Sequence, residues 1–411
     1  MSREVLRWGL IIFLVAAFPR LGWVGWNWNR TGSTFAYPDE ELHWQLARNL
    51  VEQGELRTDD GRRAARMPLY PLFLALFASA EHYGVLLARI VQALIGATTA
   101  CLIYVFMHRE FGQRPALLAA GLAALDPFTI FFCNLLLTET LFIFFGVALT
   151  VCAWPLIRNP GCASRNAVFG VGVCAIAAIL TRPSAAGWIG LLWILLWLYD
   201  PDHRRGAAHA GLYLAIFLLG IGPWGIRNYR LLGAPAWLSA NGGVTLYDAQ
   251  GPQAVGDSNQ DFLRDLSDLA GLDEIQRDRI LRDLAWRQMY SDPSRVLRLA
   301  FTKFCRTWNL IPNVAEHSRG ASAAVSATFT AGVLILAMLA VARFACRRAI
   351  LPSKTSQFLL LMLLPVVYFT LLHCVFVGSV RYRIPLMPFL EMCAGLTCLT
   401  RLSPTGNSES E

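Results

Sequence analysis

Apolar runs close to the length of a bilayer span recur along nearly the whole chain, and this limits its fold more than any other feature. A helix rises about 1.5 Å per residue, so roughly 20 apolar residues cross the hydrocarbon core. Runs of that order fall at about 6–25, 84–106, 116–132, 136–157, 167–181, 185–199, 208–226, 321–343, 357–378 and 384–400. With 55% of its 411 residues hydrophobic and 16% charged, the chain reads as an integral membrane protein. In lipid each segment must satisfy its own backbone, which selects helices. The expected fold is therefore an all-α polytopic bundle of about ten transmembrane helices.

Charge sets the expected topology. The run from Arg66 to Phe77 is only about 12–14 residues long and is read as interfacial or re-entrant. With the amino terminus in the cytoplasm, the inner loops are then His108–Arg114, Arg158–Arg165, Asp200–Arg205 and Arg343–Lys354. Each is basic, as the positive-inside rule requires. Counting 68–80 as a full span would put all of them outside. The net charge of +8 comes from loop arginines beside membrane ends and does not suggest nucleic acid. Arg3 and Arg7 flank the first run and no small-residue cleavage site follows, so it is read as a retained span. Of the ten cysteines, most lie within apolar runs and show neither metal-ligand spacing nor a disulfide framework. No internal repeat or low-complexity tract is apparent.

Three regions follow. Residues 1–227 form an amino-terminal membrane module whose first outer loop, 27–83, carries the candidate chemistry. Residues 228–320 form an outer-face region, loop-like over 231–260 and helical in pattern beyond. Residues 321–411 hold the last spans.

Within the first outer loop stands Tyr37-Pro38-Asp39-Glu40-Glu41-Leu42-His43-Trp44. Pro then Asp is a helix-start signal, and Leu42, Leu46 and Leu50 then recur every four residues until Gly54. This predicts an amphipathic helix on the membrane surface with carboxylates at its head. Asp39 is either a general base or an ordinary N-cap, with Glu40 favouring the helix dipole. Arg66 is either a phosphate ligand or an arginine anchoring a helix end. Glu139, between two apolar runs, is either paired in a site or a cap on the next span. Arg182, Arg227, Arg381 and Arg383 fall on the outer side, against the positive-inside trend. Lipid phosphate would explain them, as would pairing with Asp39, Glu40 or Glu139. His43, His82, His317 and His373 lack ligand spacing and are read as surface or packing residues. The aromatic cluster at 23–28, made of Trp23, Trp26 and Trp28, reads as an interfacial aromatic belt.

Taken in order, these stretches resemble the family 39-type membrane glycosyltransferases of the GT-C fold. That group includes protein O-mannosyltransferases and the aminoarabinose and galacturonic acid transferases acting on lipid A or core sugars. The resemblance rests on Pro38-Asp39-Glu40 after the first span and on Arg66-Met67-Pro68-Leu69-Tyr70-Pro71. It continues through Leu137-Thr138-Glu139-Thr140-Leu141-Phe142, Thr181-Arg182-Pro183, Trp224 to Asn228, Asp292-Pro293 with Lys303 and Trp308, and Arg381-Tyr382 with Pro385 and Pro388. It implies transfer of a hexosyl or pentosyl group, with inversion, from a polyprenyl-phosphate donor to an acceptor hydroxyl. Lipid, glycan and protein all remain open as acceptors. Asp39 matches the catalytic carboxylate and Arg66 the basic residue before Pro-Leu-Tyr. In the aminoarabinose branch a Glu that can help hold a divalent metal precedes that basic residue; here it is Ala65, which puts a divalent metal in doubt, and no other cofactor is implied.

The resulting expectation is a polyprenyl-phosphate-dependent glycosyltransferase, multi-pass in a bacterial inner membrane, with its site facing outward. Asp39, Glu40 and Glu139 are the catalytic candidates. Arg66, Arg182, Arg227, Arg381 and Arg383 are the donor-phosphate candidates. The helix at 40–53 and the run at 68–80, with Tyr70 and Tyr382, form the substrate groove. A lipid-linked sugar transporter or flippase, or an inactive accessory subunit of the same fold, are the alternatives. Charges gathered at one face and the lack of a repeat count against the transporter.

Overall fold

A computed structural model describes residues 2–162, 164–260, 262–266, 269, 271–313, 318–345 and 354–399. His317 lies outside them. All regular structure among the described residues is helical.

The order begins with α1 (Arg3–Thr31), α2 (Pro38–Gln53), α3 (Leu69–Ala78), α4 (Gly84–Phe111), α5 (Gln113–Leu125) and α6 (Pro127–Phe132). Then come α7 (Glu139–Arg158), α8 (Arg165–Thr181), α9 (Ala185–Tyr199), α10 (His203–Leu232), α11 (Gly242–Gln250) and α12 (Phe262–Asp265). The rest are α13 (Glu274–Ser291), α14 (Pro293–Thr307), α15 (Gly320–Ala345), α16 (Lys354–Val375), α17 (Val380–Arg383) and α18 (Met387–Gly395).

Among the described residues six helices, α1, α4, α7, α10, α15 and α16, are long and apolar enough to cross a membrane. The other four apolar runs form shorter or broken helices in the same bundle. The run at 116–132 breaks where Asp126 accepts from the Phe128 N–H and Pro127 starts α6. The runs at 167–181 and 185–199 form α8 and α9, of 17 and 15 residues. The last run is a chain of short pieces, with Pro385 and Pro388 at first-turn positions where a missing N–H is tolerated.

Small residues let the bundle close. α1 packs along α4, α4 against α5, and α18 against both α5 and α15. Ala97, Ala100, Ala116, Ala119 and Ala120 are buried at these contacts. Gly395 is required there, because a Cβ would stand 2.6 Å from the Pro115 carbonyl oxygen.

The surface elements differ in part from expectation. α3 has ten residues, about 15 Å, too short to cross. α2 seats its apolar stripe on α3, burying Leu46 and Ala47. Residues 231–260, read as loops, contain the helix α11. It packs on α13, where the Gly243 N–H donates to Asp278 Oδ1 at 2.6 Å. Gly, Asn and Asp clusters mark turns but do not report a short helix stabilised by a distant partner.

Candidate active site

Local folding at the head of α2 separates the two adjacent carboxylates. Glu40 stands at the third helical position and reaches back, accepting from the Ala36 and Tyr37 N–H groups at 2.9 and 3.1 Å. Its other oxygen accepts from the Leu136 N–H at 2.8 Å. Glu40 is thus fully buried and fixes the helix start to the loop before α7. Burial pushes its carboxyl up, offset in part by these N–H donors. Glu40, a catalytic candidate by sequence, thus spends both carboxyl oxygens on backbone N–H groups, and it also relieves Asp39 of the capping role.

Asp39 points the other way. Its Oδ1 accepts from Arg66 Nη2 at 2.8 Å and its Oδ2 from Arg381 Nη1 at 2.8 Å. Burial pushes the Asp39 carboxyl up, but Arg66 and Arg381 outweigh it and hold the group well below the usual carboxylate range. Arg381 also donates from Nε to Glu139 Oε1. That same oxygen meets Arg182 Nη2 at 3.4 Å. Glu139 is fully buried at the first position of α7, so it pairs in the cluster and is more than a cap. Three guanidiniums therefore face two carboxylates, an excess of positive charge suited to an anion.

The remaining candidates lie apart. Arg227 donates to the Arg63 and Leu56 carbonyls and stacks on Trp224, with 4.9 Å from guanidinium carbon to ring centroid. Arg383 is fully buried, donating to the Asn309 carbonyl and Thr330 Oγ1 above the Phe128 ring. Both guanidiniums are occupied by neighbouring segments and do not join the Asp39 cluster. Tyr70 is fully buried, donating to Gln92 Oε1 at 2.7 Å and meeting the edge of His43, so it lines no groove. Tyr382 stacks on His373 with ring centroids 4.0 Å apart. His43 is buried, as a packing residue would be, and burial followed by the nearby Arg66 pushes it down to about 3.

Several supports were not legible in the sequence. Arg66 hangs from a loop held by Glu274, which accepts from the Arg63 and Ala64 N–H groups. The Ala240 N–H donates to the Ala64 carbonyl, and Arg227 reinforces the same loop. Arg381 follows Gly378, where a Cβ would lie 2.5 Å from the Lys303 carbonyl oxygen. Lys303 is itself fully buried, donating to the Ala249 and Val375 carbonyls at 2.9 Å. A signal existed for Lys303, which stands with Asp292-Pro293 and Trp308 in one of the stretches that carry the resemblance. None existed for Glu274, which heads an ordinary polar helix.

A mostly apolar cavity of about 450 Å³ adjoins the cluster. Its wall includes Trp23 of α1, Phe128 and Phe131 of α6, Val325 of α15, and Val380. Arg381 is the only charged side chain on it among the described residues. The expected groove between 40–53 and 68–80 is instead filled by packing of α2 on α3. Among the described residues no group of three or more His, Cys, Asp and Glu side chains gathers as a metal site, and Ala65 is buried.

The helical bundle has the GT-C fold. Residues 65–221, less than half of the chain, match the model of the Alg9-like mannosyltransferase family. Among solved structures, the chain is similar to the archaeal oligosaccharyltransferase AglB from Archaeoglobus fulgidus, in complex with an inhibitory peptide and a dolichol-phosphate. Identity is 14% and the TM-score 0.56, covering 96% of this chain and 50% of that one. The chain thus spans about half the length of AglB. ArnT from Cupriavidus metallidurans bound to undecaprenyl phosphate aligns at 17% identity and a TM-score of 0.41, covering 90% of this chain and 76% of that one. No curated protein matches the sequence.

Proposed function

We propose that the protein is an inverting glycosyltransferase that moves a sugar from a polyprenyl-phosphate donor to an acceptor hydroxyl. The observation that carries this reading is Asp39, bridged by Arg66 and Arg381, with Arg381 also standing on the wall of the apolar cavity. The cavity suits a prenyl chain and the excess of guanidinium charge suits its phosphate. AglB, whose structure contains a dolichol-phosphate, supports a lipid-linked donor, and the Alg9-like match supports a hexose.

While it is paired to both arginines Asp39 is a poor base, because they stabilise its charged form. The donor phosphate competes for those arginines. As they turn to it, Asp39 loses its partners and becomes basic enough to accept a proton. The acceptor oxygen then attacks the anomeric carbon from the face opposite the phosphate. The bond from that carbon to the phosphate oxygen breaks, its electron pair leaves on the phosphate, and the acceptor proton passes to Asp39. Arg66, Arg381 and Arg182 stabilise the charge on the departing phosphate. Glu139 holds Arg381 and Arg182 in register.

The same reading keeps three regions: a catalytic amino-terminal module (1–227), an outer-face region (228–320) that supports the Arg66 loop through Glu274, and carboxy-terminal helices (321–411). It places the protein in a bacterial inner membrane with the site outward, the orientation that keeps the basic loops inside. The test is sugar release and transfer by purified protein in liposomes supplied with polyprenyl-phosphate hexoses, beside mass spectrometry of envelope glycans from a deletion strain. Reporter fusions at Gly112 and Arg204 reading cytoplasmic, with one near Asn259 reading external, support the orientation. An external Arg204 sinks it. No transfer from any polyprenyl-phosphate sugar, together with an unchanged envelope, sinks the enzyme reading.

A further inference from the structure

A second, small cavity, with a few polar side chains on a largely apolar wall, shares Glu139 with the cluster just described. It measures about 30 Å³, and its wall includes Arg20 of α1, Thr99 of α4, Glu139 and Thr140 of α7, and Glu391 of α18. Glu139 uses Oε1 for Arg381 and Arg182, while its Oε2 is buried without a partner among the described residues. Glu391 is fully buried, and neither of its oxygens has a partner among them. Arg20 spends both terminal nitrogens on the Ala16, Ala123 and Ala124 carbonyls and Thr129 Oγ1, leaving Nε unpartnered.

Buried carboxyl oxygens and a buried N–H without protein partners around one void are a setting that favours bound water. A buried water needs room of roughly 10–15 Å³ and two to four polar partners, so this cavity takes about two. A water placed there would have Arg20 Nε, Glu139 Oε2 and the Glu391 carboxyl as available partners, since all three residues line the cavity. Carboxylates in a bundle interior without such donors would be costly.

We propose that water in this cavity joins Glu391 to the free oxygen of Glu139, making Glu391 a positioning residue for the transfer reaction. The proposal rests on the glycosyltransferase reading for its consequence, and on the cavity alone for its structure. The chain of contacts runs from Glu391 through water to Glu139, then through Arg381 to Asp39. It fixes the rotamer of Glu139 from the side opposite its arginines, and so the angle at which Arg381 meets the phosphate and Asp39. Glu391 touches neither substrate.

Two variants and one image test this with the full-length protein. Glu391→Gln keeps a polar partner for the water and should transfer sugar at close to the wild-type kcat. Glu391→Leu fills similar volume and ends the water contact; its kcat should fall about tenfold. Its melting temperature should hold or rise, because a buried polar group with no partner among the described residues is replaced by a hydrocarbon. A merely structural Glu391 would not produce slower chemistry in an equally stable protein. In a Glu139→Gln background the same Leu substitution should cost nothing further. Electron cryo-microscopy of the wild type in nanodiscs should show water density between Glu391 and Glu139. A dry cavity, or a Leu variant with wild-type kcat, overturns the proposal. Should the wild type transfer no sugar, the function reading falls, and the density still decides the hydrated link by itself. Should the Leu variant not fold, the density and the Gln variant decide.

Discussion

Replacing Asp39 by Asn separates catalysis from structure more finely than the sequence alone allowed. Asn is nearly isosteric, and Glu40 rather than Asp39 reaches back to the free N–H groups, so α2 loses no cap. What changes is the pairing. Asp39 accepts one bond from Arg66 and one from Arg381, each at 2.8 Å. Asn has a single acceptor oxygen, and its amide N–H₂ must face the other guanidinium. Two charge-assisted bonds are each worth about 1.5–3 kcal/mol when protected. The Asp39 side chain is 37% exposed, so water screens it, and a combined loss of about 1–3 kcal/mol is the fitting estimate. The sign with pH follows from the lowered carboxyl. The contribution is present above the unfolded value of 3.8 and is lost only as pH falls below it. Wild type and Asn variant should therefore differ in stability at pH 7 and converge in strong acid. Turnover should respond far more, by about 10²–10⁴, because Asn cannot take the acceptor proton. The assay is sugar transfer in liposomes at a temperature where both proteins are fully folded, with a melting curve for each. Arg66→Gln is the control: it removes one ion pair and leaves the base, so it should raise the donor KM more than it lowers kcat. Wild-type turnover by the Asn variant would falsify the base assignment. An activity loss no larger than that of Arg66→Gln would reduce Asp39 to an arginine holder.

Other outcomes follow from the same geometry. Arg381→Lys keeps the charge but cannot reach Asp39 and Glu139 together, so donor KM should rise roughly tenfold; Arg381→Ala should cost more, since it leaves the buried Glu139 with Arg182 alone at 3.4 Å. A Lys variant equal to wild type in donor titrations would show that the fork is not used. His43 binds its proton only near pH 3 when folded and near 6.5 when unfolded. Stability should thus fall as pH drops from 6.5 toward 3, by at most about 1.4 kcal/mol per unit, and His43→Gln should lose that slope in denaturant titrations. An identical slope in the variant would assign it to other groups.

How much of this was readable differs sharply between fold and site. Hydropathy and loop charge are local quantities, and they marked the ten apolar runs and the short segment that became α3. They also marked Asp39, Arg66, Glu139, Arg182 and Arg381 as charges in costly places, because a charge beside hydrocarbon needs a partner. Which partner was beyond them. Asp39 and Glu40 are neighbours about 100° apart on a helix, and nothing in Pro-Asp-Glu says which of them turns inward. That choice was made by Leu136, 96 residues away, whose N–H takes Glu40, and by Arg381, 342 residues away, which takes Asp39. Arg227 and Arg383 carried the same sequence signal as Arg381, yet backbone carbonyls near them in space engaged their guanidiniums first. The apolar cavity was likewise invisible, since its wall joins α1, α6, α15 and the segment before α17, and no one of these runs looks different from a lipid-facing span. The sequence by itself determined that the chain is a helical membrane protein with its ionisable groups at span ends, because transfer of apolar residues out of water depends on composition. Only the tertiary structure decided which of those groups form one site, because pairing energies depend on distances of a few ångströms between segments hundreds of residues apart.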